Sequence, residues 1–168
     1  MAKSIRTAII AAAMTLLLAL GAAFTGLTAH AATSDQPTAT EPTVNKTVNV
    51  ADGITIADDA VFSVKQVPNA DDVAAPATVA DYTVTIPAAS LKANTKVSES
   101  LGLAAKTTAV GEYTFEVKET EPKDKADTAP YGWTVDKTTY YVHVYVAQNG
   151  DHSYIVTKGT NNHYGQKA

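Results

Sequence analysis

Apolar and polar residues alternate with a period of two over much of the chain after residue 43. Residues 44–50 (VNKTVNV) put Val44, Lys46, Val48 and Val50 on one face, because successive side chains of a strand point to opposite sides. Residues 60–67 (AVFSVKQV) group Phe62 with Val64, and residues 81–86 (DYTVTI) group Tyr82, Val84 and Ile86. Residues 111–119 (GEYTFEVKE) alternate without a break. Residues 134–146 (TVDKTTYYVHVYV) form a long run rich in β-branched and aromatic residues, Asn149-Gly150 signals a two-residue hairpin, and residues 152–158 (HSYIVTK) read as the return strand. Residues 88–106 have room for one helical turn but show no period, and residues 68–80 read as a surface connection. Short strands joined by turn chemistry, with no long helix, predict an all-β fold, an antiparallel β-sandwich.

The first residues carry a different pattern. Lys3 and Arg6 precede an apolar run over residues 8–24, and Ala29-His30-Ala31 follows as a small-residue site. This predicts a secretory signal peptide over 1–31, cleaved after Ala31, rather than a retained anchor. Residues 32–43 (ATSDQPTATEPT) predict a disordered linker, and residues 44–168 the domain. Processing removes Lys3 and Arg6, so 11 basic residues face 17 acidic ones and the net charge moves from −4 to −6. That balance argues against nucleic acid or an anionic membrane as a partner. No second apolar run of spanning length follows, so no membrane helix is expected in the mature form. The chain has no Cys, so an exported domain here must find covalent support in other side chains.

Two ionisable residues stand where core residues belong. Lys46 interrupts the stripe of Val44, Val48 and Val50, and Glu119 ends the stripe of Tyr113, Phe115 and Val117. Burial drives such groups toward their neutral forms. A neutral amine is a nucleophile, and a protonated carboxyl can polarise a carbonyl and shuttle protons. Held against a carboxamide in a dry interior, the pair has the means to form an amide bond within the chain.

The segments VNKTVNVADG with AVFSV, GEYTFEVKETEP, and APYGWTVDKTTYYVHVYV resemble, in that order, the isopeptide-linked pilin domains of Gram-positive surface fimbriae, the streptococcal pilin type related to the Cna B-type immunoglobulin-like fold. Phe115, Val117 and Glu119 match the family's aromatic–aliphatic–Glu motif. The resemblance implies an immunoglobulin-like sandwich, with Lys46 as the amine and Glu119 as the catalytic acid of an intramolecular Lys–Asn isopeptide bond. It also implies a secreted, cell-wall or cell-surface protein joined to other pilin subunits by sortase-type linkage, with a host surface ligand as a further possible partner. The family's acceptor Asn lies on a last strand, whereas here GTNNHYGQKA follows the return strand. The expectation is therefore that the given chain stops before that strand and the wall-sorting signal. Asn161 and Asn162, in a turn context, are secondary candidates for the acceptor. A sandwich without its last strand would leave one edge of the first strand open.

Plainer readings stand beside these. Lys46 on an edge strand could extend its amine to water. Trp133 and Tyr140 suit a core. Tyr141, His143 and Tyr145 share a face that would serve the alternative function, a soluble secreted β-sandwich that binds a glycan or host protein, although packing explains them as well. His143, His152 and His163 lack metal-ligand spacing, and no phosphate loop or nucleophile motif is present, so no metal, no cofactor and no turnover enzyme is expected.

Overall fold

The computed structural model describes residues 10–14, 37–48, 55–69, 73–120, 133–134 and 136–159. The strands among them are β1 (Ile10–Met14), β2 (Thr43–Val48), β3 (Ala60–Val67), β4 (Tyr82–Ile86), β5 (Lys96–Ser100), β6 (Gly111–Thr120), β7 (Trp133–Thr134), β8 (Tyr140–Val146) and β9 (His152–Lys158). They form one sheet in the order β5-β2-β1-β7 and another in the order β4-β3-β6-β8-β9. All pairings are antiparallel except β1 with β7. The fold is the all-β sandwich that the alternation predicts.

The five-stranded sheet follows directly from its sequence. β6 turns Tyr113, Phe115 and Val117 inward, and the register sets Val117 beside Val64 and Phe115 beside Val142. Phe62 of β3 and Ile86 of β4 add to this face, and Val44 and Val48 of β2 close the core from the other sheet, together with Leu101 and Leu103. Burying one such side chain contributes roughly 1.5–3 kcal/mol, so this stripe fixes which face of each strand looks inward. Gly111 opens β6 at φ +140°, and a Cβ there would lie 2.9 Å from Pro76 Cγ. A larger residue would have to push the 73–79 connection away.

Several local expectations are corrected. Residues 134–146 are not one strand. β7 and β8 are separated at 136–139, where Asp136 Oδ1 accepts the Thr138 N–H at 2.8 Å, a local bond that competes with the sheet ladder. Residues 88–106 hold a 3-10 turn at Ala88–Ser90 and also the strand β5, hidden in the sequence because four of its five residues face solvent. The hairpin at Asn149-Gly150 is wider than two residues: Ala147 N–H donates to Asp151 O and Gly150 N–H to Ala147 O, both at 2.9 Å, with Gly150 at φ +86°.

The linker expected over 32–43 is tied down over its described part. Thr38 and Tyr154 exchange both backbone hydrogen bonds, at 3.0 and 2.8 Å. Glu41 Oε1 accepts the N–H groups of Leu103 and Ala104, and Thr43 already belongs to β2. Single capping contacts do this, and they leave no periodic trace. In the unprocessed chain the β2 edge expected to stand open is covered. Ile10–Met14, inside the segment read as a leader, pairs with it in the register Ala12↔Val48, Ala13↔Thr47 and Met14↔Lys46.

Candidate functional site

β2 and β6 belong to different sheets, and their inward faces bring the two inward-pointing ionisable residues together. Lys46 Nζ donates to Glu119 Oε1, and neither side chain has any exposed surface. Lys46 lies between Val44 and Val48 on the inner face of β2, so a strand rather than a loop aims it. Glu119 continues the stripe of Phe115 and Val117, with Phe62 of β3 as its ladder neighbour. The carboxyl has a second anchor: its Oε2 accepts the backbone N–H of Asp136 at 2.9 Å. The Asp136 carboxylate accepts in turn from the Thr138 N–H at 2.8 Å and from the Tyr140 hydroxyl at 3.2 Å.

Electrostatics at the pair run in opposite directions. Burial pushes the Lys46 amine below the ordinary lysine range, while the hydrogen bond and charge of Glu119 and the charge of Asp136 pull it back up. Tyr140 is pushed up to about 12, by burial first and then by Asp136, so its phenol remains a donor at neutral pH. A lysine displaced toward its neutral form is closer to acting as a nucleophile. A carboxyl in direct contact with it can carry a proton between that nitrogen and a leaving group.

The sequence reading placed Lys46 and Glu119 on the core side, and the structure joins them. Asn161 and Asn162 lie outside the described residues. Asn45, next to Lys46 in sequence, points to the opposite face of β2 and accepts from Ser98 Oγ. The Tyr141, His143 and Tyr145 face is not the exposed patch that a ligand would need. Tyr141 is buried and Tyr145 half-buried. His143 has no exposed surface, and its Nδ1 lies 3.2 Å from Thr114 Oγ1. Burial lowers the His143 pKa to about 4. Tyr140 is a core residue, as expected, and the side chain of Trp133 lies outside the described residues. Among the described residues no group of three or more His, Cys, Asp or Glu is placed to hold a metal ion.

The sequence reading missed Asp136. Asp-Lys-Thr ahead of a strand is a recognisable turn signal. Nothing in that signal says that the Asp136 N–H faces the carboxyl of Glu119 across a gap of 17 residues. No family model, curated protein or solved structure matches the chain.

Proposed function

We propose that the chain is a structural module of a cell-surface pilus or adhesin, and that Lys46 and Glu119 are the amine and the acid of an intramolecular Lys–Asn isopeptide bond. The observation that supports this reading is the direct contact of a fully buried lysine with a fully buried carboxyl across the sandwich. An ion pair in that position is poor evidence for stability alone, since apolar residues of similar size often serve a core as well. Its chemistry gives it a use. Neutral Lys46 Nζ attacks the carboxamide carbon of an Asn, and its proton passes through Glu119 to the amide nitrogen. The carboxamide C–N bond breaks, ammonia leaves, and a new amide joins two strands. The step balances without an oxidant or cofactor.

On this reading the module acts once, on itself, and is not a turnover enzyme. It is exported to the cell wall or cell surface, where a covalent clamp substitutes for disulfides in a chain without Cys. Its partners are other pilin subunits. The alternative, a soluble secreted binding domain, loses support because His143 and Tyr141 on its proposed face are buried. The test is the intact mass of the protein isolated from its host. We expect the mass of one ammonia to be missing from the wild type and present in Lys46→Ala and Glu119→Ala. A wild type of full unmodified mass sinks the proposal.

A further inference from the structure

We propose that Asp136 is a positioning residue for the Lys46–Glu119 pair: its side chain shapes the turn that aims its own backbone N–H at Glu119, and the charge of its carboxylate acts on the amine through space. The inference rests on the bond-forming reading for its chemical meaning, while its geometry stands without it.

Glu119 is fixed at both oxygens. Oε1 meets Lys46, and Oε2 accepts the Asp136 N–H at 2.9 Å. That donor lies in the break between β7 and β8, where no described strand pairing holds the backbone. The Asp136 side chain holds it instead, through Thr138 N–H on Oδ1 and the Tyr140 hydroxyl on Oδ2. Tyr140 is itself set by the sheet, paired with Val117 on one side and Lys158 on the other. A continuous series of hydrogen bonds therefore runs from Tyr140 through Asp136 and Glu119 to Lys46, linking the five-stranded sheet to β2.

The charge of Asp136 has a separate effect. Among the described residues, the charges of Glu119 from β6 and Asp136 from the turn before β8 act on Lys46. Tyr140 next to Asp136 stays a neutral phenol. The ladder positions beside Lys46 are Val97 on β5 and Met14 on β1, neither of them ionisable. Asp136 thus improves the aim of the carboxyl while favouring the ammonium form of the amine. The two effects separate by substitution. Asp136→Asn keeps an oxygen for the Thr138 N–H and removes the charge. Asp136→Ala removes both.

The test follows two signals in the full chain by NMR: the titration of the Lys46 ε-carbon and the hydrogen exchange of the residue 136 amide. In Asp136→Asn we expect the amide to stay protected and the Lys46 midpoint to move to lower pH. In Asp136→Ala we expect that amide to exchange at least roughly tenfold faster, as a local opening would cause. Unchanged exchange in Asp136→Ala, or an unmoved midpoint in Asp136→Asn, overturns the inference. If Lys46 becomes an amide in the folded protein, the readout is the rate of ammonia loss in freshly synthesised chain, followed by intact mass. Asp136→Ala should then be slower by about tenfold, and Asp136→Asn should show its pH profile moved to lower pH. Equal rates with an unmoved profile overturn it equally. A wild type that never loses ammonia refutes the bond-forming reading but leaves the exchange and titration readable, so the two failures are distinct.

Discussion

Lys46 and His143 are both titratable side chains with no exposed surface, and the molecule accommodates them in opposite ways. Lys46 lies between the sheets, against Glu119 and within reach of the Asp136 charge. His143 lies on the other face of the five-stranded sheet, between Thr114 and Ile155 in the ladder. Burial lowers the pKa of both. At Lys46 the neighbouring carboxylates oppose it, whereas at His143 burial is the cause of the shift. His143 is therefore a neutral imidazole over the physiological range, fixed in one form and suited to packing. At Lys46 burial lowers the pKa while the neighbouring carboxylates pull it back up. Burial alone makes an inert group; burial set against a nearby charge makes one that can exchange a proton.

The largest expected effect is at the pair itself. Lys46→Ala or Glu119→Ala leaves an uncompensated buried partner and should cost about 3–5 kcal/mol, read from urea unfolding of the full chain. Replacing both, as Lys46→Met with Glu119→Leu, should recover most of that loss. A double variant as unstable as either single one would mean that the site cannot be refilled by apolar side chains, and the contrast with His143 would then lie in packing rather than charge.

His143 comes next, and its signature is pH. The unfolded chain takes up a proton near pH 6.5, whereas the folded imidazole resists until about pH 4. The unfolded state binds more protons in that window, so stability falls as pH drops through it, by about 3 kcal/mol in all, and levels off below. Denaturant midpoints measured across this range should show the fall in the wild type. His143→Leu should remove that part of the slope. An identical slope in both proteins would mean that His143 is not shielded from protonation.

These contrasts were only partly legible in the sequence. Period-two alternation sufficed to put Lys46 and Glu119 inward, because a single strand face carries the information and both strands have strong apolar stripes. It could not say that both faces of β2 are covered, as the burial of Asn45 beside Lys46 shows. β5 stayed hidden because KVSES is an edge strand with nearly all of its side chains in water. Asp136 stayed hidden because the group by which it touches Glu119 is a backbone N–H, which every residue but proline carries. The pairing of Ile10–Met14 with β2 was out of reach for the same reason. Backbone ladders are not written in side-chain patterns.

Glu41 is intermediate in burial and should be intermediate in effect. It accepts the N–H groups of Leu103 and Ala104 and so pins the 101–107 segment over the core, where His152 Nε2 also meets Thr107 O at 2.7 Å. Glu41→Ala should cost about 1.5–3 kcal/mol, the usual range for hydrogen bonds to a charged group. It should also speed proteolysis near Lys106. A Glu41→Gln variant that matches the wild type would show that the acceptor oxygen matters here and the charge does not.

The smallest effect isolates what burial contributes. Lys65 and Asp81 repeat the chemistry of the inter-sheet pair on the surface, with Nζ and Oδ2 3.7 Å apart and side chains 55% and 61% exposed. Water already solvates both groups, and holding two long side chains in one arrangement costs entropy. Asp81→Asn should therefore change stability by no more than about 0.5 kcal/mol, and added salt should erase even that. If the exposed pair proved as costly to break as Lys46–Glu119, lysine–carboxyl pairing as such would explain both. If it proves silent, the difference between the two pairs comes from the dry interior, the same condition that holds the Lys46 amine below the ordinary lysine range.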